Sequence, residues 1–389
     1  MQRRILLVIV VAQFFCTSVW FAGNAVLNDL VKDLQLKADF LAHLTSAVQI
    51  GFITGTLVFA LLAIADRYSP SKVFFISATI AALFNALVGW EGMGAFELLP
   101  LRFLTGFFLA GIYPIGMKIA SDYSREGLGK SLGFLVGALV LGTAFPHLLK
   151  SFALGMHWRS VMYGTSVLSI LGGVAMYGLV PDGPFRRAGQ RLTVTAFLSG
   201  FSNRDFRAAA IGYFGHMWEL YAFWAFVPVM LTVFATTYPE QQLNVSRWSF
   251  IIIGFGAVAC VMGGYLSQTF GAKRIATWSL MLSGLCCLLS PLVLNQPSEI
   301  LFLTFLFFWG FLVIADSPLF STLIAHFAPP ETRGTSLTIV NCIGFSITIV
   351  SIQLLSFLSR IWDNQFLYLI LAIGPAVGVL ALIRHRPVT

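Results

Sequence analysis

The chain has 389 residues, of which 58% are hydrophobic and only 10% charged. Soluble domains carry about 25% charged residues, so a soluble globule of this length would lack the polar surface to cover itself. The net charge of +8 is distributed in a way that reads as membrane topology, not as nucleic-acid affinity.

A helix that crosses a bilayer needs about 20 mostly apolar residues. The N-terminus opens Met1-Gln2-Arg3-Arg4 and then runs apolar from Ile5 to Val26. Charges followed by an apolar run resemble a secretory leader, but no small-residue cleavage site follows, so the segment is read as an uncleaved first helix. In chain order the predicted spans are 5–28, 40–65, 72–91, 96–120, 129–150, 159–180, 207–235, 247–269, 273–294, 299–326, 334–358 and 364–384. The longest polar connection runs from Pro181 to Arg207 and carries Arg186, Arg187, Arg191 and Arg204. It predicts a six-helix bundle over 1–181, a cytoplasmic linker over 182–206 and a second six-helix bundle over 207–389. The fold class expected is all-α and polytopic, with twelve transmembrane helices in two pseudo-symmetric bundles.

Cytoplasmic loops of membrane proteins are rich in Lys and Arg. With the N-terminus inside, the inner segments hold sixteen such residues: Arg3, Arg4, Arg67, Lys72, Arg125, Lys130, Arg186, Arg187, Arg191, Arg204, Arg207, Lys273, Arg274, Arg333, Arg384 and Arg386. The outer segments hold six: Lys32, Lys37, Lys150, Arg159, Arg247 and Arg360. Both termini are therefore expected in the cytoplasm, and the expected location is a bacterial inner membrane.

The two halves repeat one another. Gly106, Pro114 and Gly129-Lys130-Ser131-Leu132 recur as Gly310, Pro318 and Gly334-Thr335-Ser336-Leu337. The loop from Leu62 through Asp66, Arg67 and Lys72 is echoed by Gly264, Leu266, Gly271, Lys273 and Arg274. Parallel repeats of six helices suit a carrier that binds solute near the midplane and exposes it alternately to either side.

These motifs resemble those of the major facilitator superfamily over essentially the whole chain. That family carries a G-x-L-A-D-R-x-G-R-K loop between helices 2 and 3, echoed between helices 8 and 9. The first copy here keeps Asp66, Arg67 and Lys72, with Leu62, Ser69 and Pro70 in place of the usual residues; the second has Gln268 at the acid position. Arg102 and Gly106 resemble its R-x-x-Q-G motif, with Thr105 for Gln. Gly133, Gly137, Gly142 and Pro146 do not follow the drug/proton antiporter pattern of helix 5, and the nitrate-carrier signature is absent. The runs Trp20-Phe21-Ala22-Gly23-Asn24, Gly215-His216-Met217-Trp218-Glu219 and Ala315-Asp316-Ser317-Pro318 look like a little-characterised bacterial branch. The resemblance implies alternating access and a cytoplasmic latch at Asp66 and Arg67, which also fit a plain positive-inside turn; Asp122 and Arg125, in the next inner loop, could be partners of the latch.

An ionisable side chain costs roughly 2.5–3.5 kcal/mol to insert at mid-membrane and marks function by default. Glu219 lies well inside the seventh span, with His216 three residues earlier on the same face. A carboxyl group that alternates between wet and dry surroundings can load and release a proton. Asp316, before Ser317-Pro318 in the tenth span, is the second acid. Arg102, inside the fourth span, could fork onto a carboxylate or phosphate, pair with an acid, or snorkel outward. The proton-coupling set is therefore Glu219, His216, Asp316 and Arg102; each could instead be a structural hydrogen-bonding group. Trp20, Asn24, Gln49, Tyr113, Tyr221, Trp224, Trp309 and Asn341 join Arg102, His216, Glu219 and Asp316 as candidate solute-binding residues, although any one aromatic also fits plain packing or lipid contact. Lys118 has Asp122 four residues on, a spacing that suits an interfacial ion pair.

Cys16, Cys260, Cys286, Cys287 and Cys342 sit in apolar runs without metal-binding spacing. The sequence shows no nucleotide-binding loop and no nucleophile–base constellation. A small-molecule carrier coupled to protons, without cofactor or metal, is thus expected over an enzyme or a primary pump. It is expected to be monomeric and not to bind nucleic acid. The alternatives are a non-transporting receptor or assembly partner on the same fold, and a proton-antiport drug exporter.

Overall fold

The computed structural model describes residues 2–36, 40–123, 128–152, 157–186, 200–329, 333–362 and 365–384. Among them the secondary structure is helical, and eleven helices are long and apolar enough to cross a membrane. The twelfth span is the first in the chain, and it is interrupted. Its apolar stretch stops at Thr17, and the chain resumes as Ala22–Ala25 and Leu27–Asp33. These three pieces are α1. The remaining spans are α2 (Phe40–Leu61), α3 (Pro70–Leu87), α4 (Ala95–Leu109 and Tyr113–Asp122), α5 (Leu128–Phe152) and α6 (Arg159–Leu179). After the connection come α7 (Arg204–Thr237), α8 (Val245–Gly254 and Gly256–Phe270), α9 (Ala272–Val293), α10 (Glu299–Ala315 and Ser317–Phe327), α11 (Arg333–Leu358) and α12 (a 3-10 turn Leu367–Ala372, then Ile373–Arg384).

The chain divides into two compact units, Met1–Gly189 and Gln190–Thr389. The same interruption recurs in both. In α4 it precedes Tyr113-Pro114, and in α10 it falls at Asp316, before Ser317-Pro318. Proline has no N–H to donate and its ring clashes with the carbonyl four residues back, so the helical ladder breaks just upstream of it.

Small residues set the closest helix contacts, as expected where lipid supplies no hydrophobic drive between helices. A β-carbon on Gly106 of α4 would lie 1.9 Å from the Val48 carbonyl of α2, and one on Gly51 would lie 1.9 Å from the Phe103 carbonyl. In the second unit Gly215 of α7 and Gly374 of α12 meet in the same way, at 2.2 and 2.4 Å from each other's carbonyl oxygens. Large apolar side chains such as Leu171 and Leu292 remain exposed, which lipid tolerates and water would not. The last piece of α1, Leu27–Asp33, is tied down by charge: Asp29 pairs with Lys150, and Asp33 accepts from Trp158 Nε1 at 2.6 Å beside His157 at 3.1 Å.

Candidate functional site

In the second unit the buried charges gather around α7. Glu219 stands near the middle of this 34-residue helix and is fully buried. Its Oε1 accepts from Trp309 Nε1 on α10 at 2.7 Å and from Cys287 Sγ on α9 at 3.2 Å. Its Oε2 accepts from Ser283 Oγ, also on α9, at 2.9 Å. Ser283 Oγ is at the same time 3.1 Å from the Leu280 carbonyl. A hydroxyl has one proton and two lone-pair sites. Ser283 can therefore donate to an ionised Glu219, or turn to Leu280 and accept a proton held on Oε2. Both protonation states find partners. Among the described residues no Lys or Arg forms an ion pair with Glu219.

One turn before Glu219, His216 Nδ1 lies 2.8 Å from Asp316 Oδ1, and both residues are 1% exposed. Asp316 occupies the break in α10 as the N-cap residue of its second piece, but its side chain caps nothing. His216 Nε2 and Asp316 Oδ2 have no hydrogen-bond partner among the described residues. Tyr213 and Phe320 flank the imidazole, with ring centroids at 6.1 and 5.8 Å. Tyr221 and Trp224 are buried and stack edge-on at 5.2 Å, and Tyr221 also meets Phe345 of α11. Asn341 is half-buried on α11.

In the first unit Arg102 is fully buried and engaged with its own protein. Nη1 donates to the Val19 carbonyl at 3.1 Å and to Asn85 Oδ1 at 2.9 Å. Nη2 donates to the Val19 and Trp20 carbonyls. Those carbonyls are free because α1 is broken there and lacks its internal ladder. Asn85 of α3 in turn donates to the Met162 carbonyl, Thr165 and Ser166 on α6 at 2.9–3.0 Å. Trp20 is buried and packs on Phe52 at 4.8 Å. Asn24 donates to Thr45 at 2.7 Å. Gln49 is fully buried, and Tyr113 is buried at the start of the second piece of α4.

Beyond the C-terminal end of α2, Asp66 pairs with Lys118 at 3.1 Å. The local spacing pointed Lys118 to Asp122; the contact across helices prevails instead, and Asp122 is buried with one carboxylate oxygen unpartnered. Arg186 pairs with Asp182 at 2.6 Å and donates to the Asp66 and Tyr68 carbonyls. Burial raises the Tyr123 phenol above its ordinary range, Asp182 and Asp122 add to this, and the hydroxyl stays a donor to the Pro181 carbonyl. Arg67 is exposed, and Arg125 lies outside the described residues.

Of the residues singled out from sequence, the structure brings together Glu219 with Trp309, His216 with Asp316, and Tyr221 with Trp224. Within the first unit it brings Arg102 onto the Trp20 carbonyl. Sequence reading missed Ser283, Cys287 and Asn85, because Ser, Cys and Asn in apolar helices carry no charge to draw notice.

The family model described as Major Facilitator Superfamily matches residues 9–352. The chain is 28% identical over 159 residues to the 4-hydroxybenzoate transporter PcaK of Pseudomonas aeruginosa, which is 39% of this chain and 34% of PcaK. It is 27% identical over 128 residues to the probable galactarate/D-glucarate transporter GudP of Escherichia coli, 31% of this chain and 27% of GudP. The alignments thus span about a third or less of these two relatives. It is 23% identical over 337 residues to the choline/ethanolamine transporter flvcr2b of Danio rerio, covering 78% of this chain and 68% of that one. A crystal structure of a point mutant of the nucleoside transporter NupG shares the fold at a TM-score of 0.72 and 16% identity, over 98% of this chain and 99% of that one.

Proposed function

The chain belongs to the major facilitator superfamily, and we propose that it is a secondary carrier that moves a small organic solute by alternating access, driven by protons. It is an integral membrane protein, and its relatives are transporters. The proposal places it in a bacterial inner membrane with both termini cytoplasmic, following the bias of Lys and Arg towards the inner loops.

The cage around Glu219 is the observation that carries proton coupling. A charge buried in an apolar medium is costly unless it is paired or neutralised. Glu219 meets three neutral donors and no Lys or Arg among the described residues. Ser283 accommodates either protonation state. The His216–Asp316 contact one turn away supplies a second site for a proton. Asp66, Lys118, Asp182 and Arg186 form the inner charge cluster proposed to brace the first unit when the carrier turns over.

The test uses proteoliposomes and a solute found by its stabilisation of the folded protein. Wild type should accumulate the solute under an inward proton gradient. Glu219→Gln should exchange it without accumulation. Full gradient-driven accumulation by Glu219→Gln would remove Glu219 from coupling.

A further inference from the structure

Buried polar atoms left without partners occur at several places in the first unit, among them Gln13, Asp122 and His147, and three of the residues that carry them line the contact of α1 with α2. Gln49 is 0% exposed, and neither Nε2 nor Oε1 of its carboxamide has a hydrogen-bond partner. Asn24 donates Nδ2 to Thr45 and leaves Oδ1 unmatched. Thr56 Oγ1 is a further unmatched atom. Thr45, Gln49, Phe52 and Thr56 follow one another at helical spacing on α2 and so share a face. The Asn24–Thr45 hydrogen bond and the Trp20–Phe52 ring contact seat that face on the break in α1. An unmatched buried donor or acceptor costs about 1–3 kcal/mol, so a carboxamide unmatched at both ends calls for a partner.

The chemistry of that partner follows from what is unmatched and what is already committed. Arg102 has spent both Nη groups on Val19, Trp20 and Asn85, and its one unmatched N–H, at Nε, cannot form a fork on an anion. Lys118 is held by Asp66 and Lys150 by Asp29. The helix α2 itself, Phe40–Leu61, carries no Asp, Glu, Lys or Arg. Neither an anion nor a cation finds a counter-charge on α2, and the guanidinium of Arg102 is already committed to carbonyl and amide oxygens. A carboxamide offers a donor and an acceptor side by side.

We infer that Gln49, Asn24 and Thr56 form a recognition strip for an uncharged solute bearing hydroxyl or amide groups, with Trp20 and Phe52 beneath its apolar face. This rests on the carrier reading and names the solute class. A site built to hydrogen-bond a polar group rejects molecules that lack it, because its own polar groups are then left unpaired.

The experiment is equilibrium binding to the purified full-length chain in detergent, read as a saturable rise in melting temperature. The uncharged probes are uridine, nicotinamide and myo-inositol. The charged probes are 4-hydroxybenzoate, galactarate and choline. At least one uncharged probe should bind and no charged one should. Gln49→Leu should weaken that binding at least about tenfold. Gln49→Glu, which keeps the shape and replaces the donor, is the second variant and should weaken it too; the melting transition itself reports that each variant is folded. Saturable binding of a charged probe, silence from all three uncharged probes, or unchanged affinity in both Gln49 variants would overturn the inference. Binding needs no gradient. A Gln49-dependent uncharged ligand that never accumulates in proteoliposomes would therefore sink the carrier reading and leave the strip standing.

Discussion

Ser283 Oγ lies 2.9 Å from Glu219 Oε2 while remaining 3.1 Å from the Leu280 carbonyl of its own helix. One hydroxyl proton faces two acceptors, so the direction in which Ser283 donates reports the protonation state of Glu219. Infrared difference spectroscopy should show a carboxyl C=O band that is absent in Glu219→Gln. In Ser283→Ala the band should move to higher wavenumber, because the carboxyl O–H loses its acceptor. Ser283→Thr keeps the hydroxyl and should leave it in place. A band indifferent to Ser283→Ala would show that the proton sits elsewhere.

Arg102 is predicted to matter for folding before it matters for binding. Arg102→Ala strands the Val19 and Trp20 carbonyls and Asn85 Oδ1 in a fully buried site. At about 1–3 kcal/mol per unmatched group, the loss of stability should be about 3 kcal/mol or more, seen as a large fall in melting temperature. Arg102→Lys supplies one compact charge for a forked arrangement and should recover only part of it. An unchanged melting temperature with lost solute affinity would make Arg102 a solute clamp instead.

His216 and Asp316 should behave as a coupled pair. Each is buried against the other, and residues in contact depart from additivity by about 0.5–3 kcal/mol. A double-mutant cycle with His216→Gln and Asp316→Asn, read by unfolding in mild detergent, should fall in that range. The same cycle on Asp66→Asn and Lys118→Met, where both side chains are 22–23% exposed, should give about 1 kcal/mol or less. Equal coupling in the two pairs would contradict this ordering.

Gly106 tests the approach of α2 and α4. With a β-carbon 1.9 Å from the Val48 carbonyl, Gly106→Ala forces two backbones apart and should abolish or severely reduce folded protein. Gly178→Ala, where nothing lies within 4 Å, is the matched control and should fold normally. Comparable yields from both would mean that the helices are not held this closely.

The helical architecture is legible in the sequence because lipid imposes a simple length and polarity rule on each span. The exception is instructive. The first span reads as continuous from Ile5 to Val26, yet it breaks after Thr17, and no proline or glycine pair announces this. Arg102, some eighty positions away, donates to the carbonyls that the break sets free. Glu219 and Asp316 stand out as charges in apolar runs. Ser283 and Cys287 do not, since Ser ordinarily bonds back to its own helix and Cys behaves as a small apolar group. Likewise Lys118 has an acid at the favoured local spacing, and only the tertiary contact shows that Asp66 takes it. The repeat also hides a division of labour. At an offset of 204, Arg102 corresponds to Leu306, and Asp316 to Ile112. Each unit carries a buried charge where its counterpart is aliphatic.

The bonds from Val19 and Trp20 through Arg102 and Asn85 to Met162, Thr165 and Ser166 cross four helices. Mechanically this is a crossbar. Where these bonds attach, α1, α3, α4 and α6 cannot tilt independently without breaking buried hydrogen bonds, those of Arg102 charge-assisted. Stiffness in the first unit is thereby concentrated at the crossbar, and the second piece of α4, Tyr113–Asp122, is tied to it by none of these bonds.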